Sequence, residues 1–112
     1  MRMSTSISHV AFFFSTDWCG YCPSAKRAWK KAVADLPVVT EVVDGELRED
    51  LVKRFKVGGF PTVVLVPATN RNFKPATAPW VVRCKARVTG VIRIRGARGV
   101  KDYADELLKV LP

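Results

Sequence analysis

Apolar positions along the chain follow two different spacings, and each spacing predicts a different kind of element. Residues 7–15 form a continuous apolar run that is too short for a typical helix, which predicts a strand buried on both faces. Downstream, apolar residues recur at intervals of three and four with lysines and arginines between them, which predicts an amphipathic helix ended by Pro37. The stripe of this helix consists of Ala25, Ala28, Trp29, Ala32, Val33 and Leu36.

The same two spacings continue through the middle of the chain. A β-branched run at residues 38–43 predicts a second strand, which ends in a turn at Asp44-Gly45. Gly58-Gly59 ends the next helical stripe, and Pro61 opens a third strand over residues 62–66. The stripe consists of Leu47, Leu51 and Phe55. This alternation of strands and helices is typical of an α/β fold, with a mixed or parallel sheet covered by helices.

A basic hairpin and a final helix are predicted near the C-terminal end. Residues 70–79 read as a loop, and apolar and basic residues then alternate on both sides of Thr89-Gly90, which indicates a β-hairpin with one basic face. That face consists of Arg83, Lys85, Arg87, Arg93 and Arg95. The stripe of the final helix consists of Val100, Tyr103, Ala104, Leu107, Leu108 and Leu111.

Composition narrows the class of protein. A chain of 112 residues that is 48% apolar fits one domain, residues 1–112, whose core needs no disulfide framework. We find neither a membrane-spanning run nor a signal peptide, and expect a cytoplasmic protein without a membrane partner. The formal charge is +9, and 12 of the 19 lysines and arginines lie between Asp50 and Asp102, where there is no acidic residue. This charge favours acidic partners.

Two of the three cysteines are candidates for redox chemistry. Cys19 and Cys22 lie where the first predicted strand meets the first predicted helix, and the unpaired amides of a helix N-terminus stabilise a thiolate. We expect Cys19 to be the more acidic thiol, and Cys22 to be near enough to resolve a mixed disulfide formed at Cys19. An alternative for this pair is half of a zinc site completed by Cys84 and His9. For Cys84 itself the alternatives are a small core residue and a regulatory or dimer-forming thiol.

At these residues the sequence resembles the thioredoxin family. The resemblance rests on Trp18-Cys19-Gly20-Tyr21-Cys22, on Gly59-Phe60-Pro61-Thr62 and on Gly96-Ala97 before the last helix. It implies a thioredoxin-like fold and a protein disulfide oxidoreductase, a reductase or an isomerase, with no bound cofactor and no metal. The partners implied are disulfide-containing protein substrates and an electron donor, either a thioredoxin-reductase-like protein or a small thiol. We expect a monomer.

The resemblance also implies roles for single residues. Cys19 would be the nucleophile and Cys22 the resolving thiol. Pro61 would be a cis residue beside them, and the backbone of Phe60 would pair with an extended substrate segment. Trp18 would shield the sulfurs, Gly96 would leave room for the substrate chain, and the remaining substrate-binding positions would be Gly20 and Tyr21.

The sequence departs from the family pattern in four respects. It lacks an extra strand and helix before the active-site strand, which implies a reduced form of the fold, and an insertion with the basic hairpin spans about residues 68–90. Phe13 stands where the family has a buried acid that accepts a proton from the resolving thiol, and Asp44 is our first candidate to replace that acid. The Gly20-Tyr21 pair resembles that of bacterial disulfide isomerases, which implies a more oxidising couple.

A second class of function remains open. The fold could serve as a binding module in which the basic insertion docks a nucleic acid or an acidic protein and the dithiol is secondary.

Overall fold

The computed structural model describes residues 8–67 and 91–111. Within these residues the chain alternates strands and helices, as the apolar spacing predicts. The strands are β1 (His9–Ser15), β2 (Val38–Asp44), β3 (Thr62–Pro67) and β4 (Ile92–Arg95). The helices are α1 (Cys22–Ala32), α2 (Glu49–Arg54) and α3 (Val100–Leu108).

The strands form one mixed sheet in the order β2-β1-β3-β4. β1 runs parallel to β2 and antiparallel to β3, and β3 pairs antiparallel with β4. Because β1 has a neighbour on each side and helices on each face, its five central residues are buried, which explains its continuous apolar run. This mixed sheet flanked by helices confirms the predicted thioredoxin-like fold.

Alternating side chains of the sheet build two separate apolar clusters. On one face, Phe13 lies in a cluster with Trp29 of α1 and Tyr103 of α3. Trp29 fixes this layer, since its indole N–H donates a hydrogen bond of 2.9 Å to Thr40 Oγ1 and its ring meets that of Tyr103 edge to face. On the other face, Phe12 and Phe14 belong to a cluster that contains Phe55, beyond the last residue of α2.

Three leucines assigned to apolar stripes are not in the core. α1 ends at Ala32, so Leu36 lies in the following turn, where its amide donates to the carbonyl of Val33. Leu47 precedes α2 and is 79% exposed, and Leu108 at the end of α3 is also exposed. Leu36 and Leu47 lie outside their helices, since a stripe does not show where the chain must turn, whereas Leu108 lies within α3 on its exposed side.

The predicted basic face is partly covered at Arg93. The Arg93 side chain is partly buried, and its Nε–H donates to the carbonyl oxygen of Phe55 at the C-terminal end of α2. Arg93 therefore uses one of its donors at the C-terminal end of α2. Arg95 is exposed. The other predicted members of this face, the Thr89-Gly90 turn and Cys84 lie outside the described residues, as does the predicted insertion at about 68–90.

Candidate active site

The two cysteines are placed by a tight turn between β1 and α1. The amide of Cys19 donates to the carbonyl of Thr16 at 3.2 Å, and the amide of Cys22 donates to the carbonyl of Cys19 at 3.3 Å. Cys22 is the first residue of α1, and Pro23 follows in the first turn, where the lack of an amide proton costs nothing. The turn thus holds both sulfurs at the positive end of the α1 dipole, as the sequence predicts.

Cys19 and Cys22 form a disulfide, with their Cα atoms 5.4 Å apart. Cys19 retains 8% of its accessible surface and Cys22 retains 4%. Both residues are therefore buried, Cys22 slightly more than Cys19, and the role of Cys19 as the nucleophile stays a prediction.

Beside the disulfide lies a cavity of about 200 Å³ with polar and charged walls. Its residues, apart from the two cysteines, are Ser15, Thr16, Asp17, Pro23 and Lys26. Lys26 lies on α1 and brings a positive charge that favours a thiolate, and Asp17 opposes it. Phe13 is fully buried in the apolar cluster beneath α1, so the position of the family's buried acid is occupied by a ring.

The Asp44 carboxylate accepts hydrogen bonds within a turn in this structure. Its carboxylate oxygen Oδ1 accepts hydrogen bonds from the amides of Glu46 and Leu47, at 2.8 and 3.3 Å. These bonds form the turn that joins β2 to α2. The role of Asp44 as a replacement proton acceptor stays a prediction, but one oxygen of its carboxylate is occupied by the turn.

Aromatic side chains surround the disulfide on its open side. Trp18 is 66% exposed and Tyr21 is 75% exposed. The Trp18 ring meets the Phe60 ring edge to face, with centroids 5.9 Å apart. Large exposed aromatic groups beside a reactive pair are typical of a surface that meets another molecule.

A groove of about 310 Å³ runs past the Phe60–Pro61 bond, which is cis. Gly96 forms one side of it with a φ of 86°, a backbone conformation that favours glycine. The amide of Gly96 donates to the carbonyl of Pro61 at 3.0 Å, and the Tyr103 hydroxyl donates to the carbonyl of Gly96 at 3.1 Å. The predicted site residues Phe60 and Pro61, just before β3, and Gly96, just after β4, are therefore brought together. Arg95 lies beside them in the groove.

A family model described as Thioredoxin matches residues 3–79, which is more than half of the chain. The chain belongs to the thioredoxin family. A thioredoxin domain with a Cys-X-X-Cys pair is equipped for thiol–disulfide exchange, and this identifies the general class of chemistry.

Similar curated proteins are disulfide isomerases. The chain is 38% identical over 71 residues to protein disulfide-isomerase A6 of Mesocricetus auratus, which covers 62% of this chain and 16% of that protein. It is 35% identical over 61 residues to protein disulfide isomerase-like 2-3 of Oryza sativa subsp. japonica, covering 53% of this chain and 14% of that protein. The thioredoxin chain therefore spans only a small part of the length of these relatives.

Solved structures agree on the fold. The germline-specific thioredoxin Deadhead of Drosophila melanogaster superposes with a TM-score of 0.66 at 18% identity, covering 94% of this chain and 83% of that chain. The first thioredoxin domain of mouse protein disulfide-isomerase A4 superposes with a TM-score of 0.59 at 18% identity, covering 92% of this chain and 63% of that one.

Sequence reasoning missed two residues of this thioredoxin site. The sequence analysis gives Thr16 no role, although a hydroxyl three residues before the first cysteine falls inside the turn that holds the pair. Gly45 was read only as a turn residue, but a Cβ there would overlap the Phe60 ring. No helix in residues 8–67 and 91–111 is long and apolar enough to cross a membrane.

Proposed function

We propose that this thioredoxin domain reduces or exchanges disulfides of protein substrates through Cys19 and Cys22. The Cys19 thiolate attacks a substrate disulfide, so that a mixed disulfide forms and one substrate sulfur leaves as a thiolate. Cys22 then loses its proton and attacks Cys19, which releases the second substrate sulfur and leaves the Cys19–Cys22 pair oxidised. A thioredoxin-reductase-like protein or a small thiol returns two electrons to the pair.

The single observation that carries this proposal is the place of the disulfide. It lies at the N-terminus of α1 in the wall of a cavity, and the neighbouring residues Trp18 and Tyr21 are exposed. A disulfide that serves only stability needs no such surroundings, whereas a reactive one needs access and a group that favours the thiolate. The relatives, which are named as disulfide isomerases, support the same chemistry.

A protein segment is the substrate that fits the groove best. The groove is lined by Phe60, Pro61 and Gly96, and the Phe60 ring meets the ring of Trp18, the residue before Cys19. An extended peptide could pair with the backbone of Phe60 as an added strand, while Trp18 and Tyr21 contact its side chains. A small thiol would leave most of this surface unused.

Reduction of insulin with dithiothreitol as the electron donor tests the proposal. Wild-type protein is expected to accelerate the reduction, and Cys19→Ser is expected to lose that acceleration completely. Cys84→Ser is the matched control, since it also removes one thiol but leaves the pair intact. Acceleration that survives in Cys19→Ser would contradict the proposal.

The direction of electron flow follows from the equilibrium of the pair with glutathione. Thioredoxins that reduce substrates lie at about −270 mV, and disulfide isomerases lie at about −180 mV. The Gly20-Tyr21 pair leads us to expect a value nearer to that of the isomerases. A potential as low as that of reducing thioredoxins would assign this protein to the reductases.

A further inference from the structure

Thr16 is a buried polar residue whose hydroxyl makes no hydrogen bond within the described part of the oxidised protein. The residue is 6% exposed, and Oγ1 has no hydrogen-bond partner within the part of the chain that the structure describes. Its backbone is used, since the Thr16 carbonyl accepts the amide of Cys19. A buried hydroxyl without a partner lowers stability, so its presence calls for a physical reason.

The place of the hydroxyl suggests that reason. Thr16 lines the cavity that also contains Cys19, Cys22 and Lys26. In the disulfide, each sulfur is bonded to the other and is a weak acceptor. Once the pair is reduced and Cys22 ionises, the cavity holds a full negative charge on sulfur, which strongly attracts a nearby O–H donor.

We propose that Thr16 is a positioning residue whose hydroxyl donates a hydrogen bond to the Cys22 thiolate after the disulfide is reduced. The inference rests on the proposed function, because it assigns a residue to the step in which Cys22 resolves the mixed disulfide. The hydroxyl would also compensate for the absence of a buried acid at position 13, where Phe13 stands. A donor that stabilises the thiolate promotes loss of the Cys22 proton without accepting that proton itself.

The step balances without a further reactant. The Cys22 thiol gives its proton to water at the cavity mouth, and Thr16 stabilises the thiolate that remains. Cys22 Sγ then bonds to Cys19 Sγ, and the bond between Cys19 and the substrate sulfur breaks. The substrate sulfur leaves with the electron pair and takes a proton from water, so the substrate is reduced and the pair is oxidised.

Other charges act on the same thiol and define the controls. In the described part of the chain, Lys26 of α1 and Asp17 of the turn line the cavity, and Asp44 of β2 lies opposite Ser15 in the sheet register. Arg95 lies in the groove on the far side of Pro61. A substitution at Thr16 leaves all four charges in place, so its effect reports on the hydroxyl alone.

Thr16→Val and Thr16→Ser form a matched pair for the test. Valine replaces the hydroxyl with a methyl group of similar size, whereas serine keeps the hydroxyl and loses the methyl group. In a Cys19→Ser, Cys84→Ser background, Cys22 is the single thiol, and its ultraviolet thiolate absorbance can be followed against pH. We expect Thr16→Val to raise the pKa of Cys22 by about one unit and Thr16→Ser to restore it.

The kinetic readout uses proteins that retain the pair. In the Cys84→Ser background, resolution of a mixed disulfide between Cys19 and a small thiol is expected to be about tenfold slower in Thr16→Val near neutral pH. The rate should recover as pH rises, since the thiolate forms without help at high pH. Titrations and rates that are the same in Thr16→Val and wild type would overturn the proposal.

Stability separates this role from a merely structural one. Thr16→Val removes an unpartnered buried hydroxyl, so the oxidised protein should be as stable as wild type or more stable in urea unfolding. A loss of stability that accompanies the slower resolution, without recovery in Thr16→Ser, would also overturn the proposal. The absorbance titration needs no substrate, so it measures the effect of Thr16 on the Cys22 thiol even if the proposed function fails.

Discussion

Cys22 differs from Cys19 in two properties that determine its chemistry. It is the first residue of α1, and as a residue it is slightly more buried than Cys19. Without Cys22, attack by Cys19 on a substrate should still occur, but resolution should not. We therefore predict that Cys22→Ser traps a mixed disulfide between Cys19 and the substrate, seen by mass spectrometry as an adduct that dithiothreitol removes.

The Cys84→Ser background keeps the third thiol from forming the same adduct. Cys19→Ser in this background is the control and should yield no adduct. An adduct that forms on Cys22 in Cys19→Ser, together with an inactive but unmodified Cys22→Ser protein, would reverse the assignment of the nucleophile.

His9 provides a prediction about pH at the start of β1. Burial lowers its pKa below the ordinary value of 6.5, because the charged ring is poorly solvated there. As pH falls through 6.5, the unfolded chain binds a proton before the folded one does, so stability decreases and then levels off below the folded pKa. Urea unfolding of wild type and His9→Gln across this range should show that the substitution removes this part of the pH dependence. An identical pH dependence in both proteins would contradict the prediction.

At the level of elements, the turn between β2 and α2 lies against the Phe60 ring, and Phe60 lines the substrate groove. Gly45 is buried, and a Cβ there would overlap the far end of the Phe60 ring. We predict that Gly45→Ala displaces this ring from Trp18, costs about 1–3 kcal/mol of unfolding free energy, and raises KM for insulin. Turnover of a small disulfide should change less, because it needs only the sulfurs.

Gly58→Ala is the matched control for this element. Gly58 also lines the groove, but a Cβ there meets nothing within 4 Å. It should therefore leave stability and KM for insulin nearly unchanged. Equal effects of the two alanines on KM would show that the Phe60 ring position does not determine substrate binding.

At the level of the whole molecule, the charge of +9 gives the substrate groove a preference. Among the described residues that line the groove, Arg95 is the one with a charged side chain. We predict that peptides with an acidic residue beside the disulfide are favoured, and that Arg95→Glu lowers kcat/KM for them about two- to fivefold. Salt should reduce the preference of wild type, since these charges are exposed to solvent.

Lys30→Glu is the control for net charge, since Lys30 is exposed on α1 and lines neither the groove nor the cavity. An equal loss in both variants would attribute the preference to overall charge rather than to Arg95. The binding-module alternative stays a prediction, because most of the basic face on which it depends lies outside the described residues.

The sequence by itself determined the alternation of elements and the place of the dithiol. The buried strand, the stripe of α1 and the Cys19–Cys22 spacing are all local patterns, and local patterns report which face of an element is apolar and which residues share a turn. The Gly59-Phe60-Pro61-Thr62 motif, through its resemblance to the family, likewise predicted the part of the site formed by Phe60 and Pro61.

Only the tertiary structure decided which distant residues meet at the site. Phe60 lies on Gly45, Arg93 reaches the end of α2, and the buried Thr16 hydroxyl finds no hydrogen-bond partner among residues 8–67 and 91–111. The first two contacts join segments that are far apart in the chain, and the burial of Thr16 in the cavity wall is a property of the folded chain. Such features arise from the packing of whole elements, which the spacing of apolar residues along the sequence does not encode.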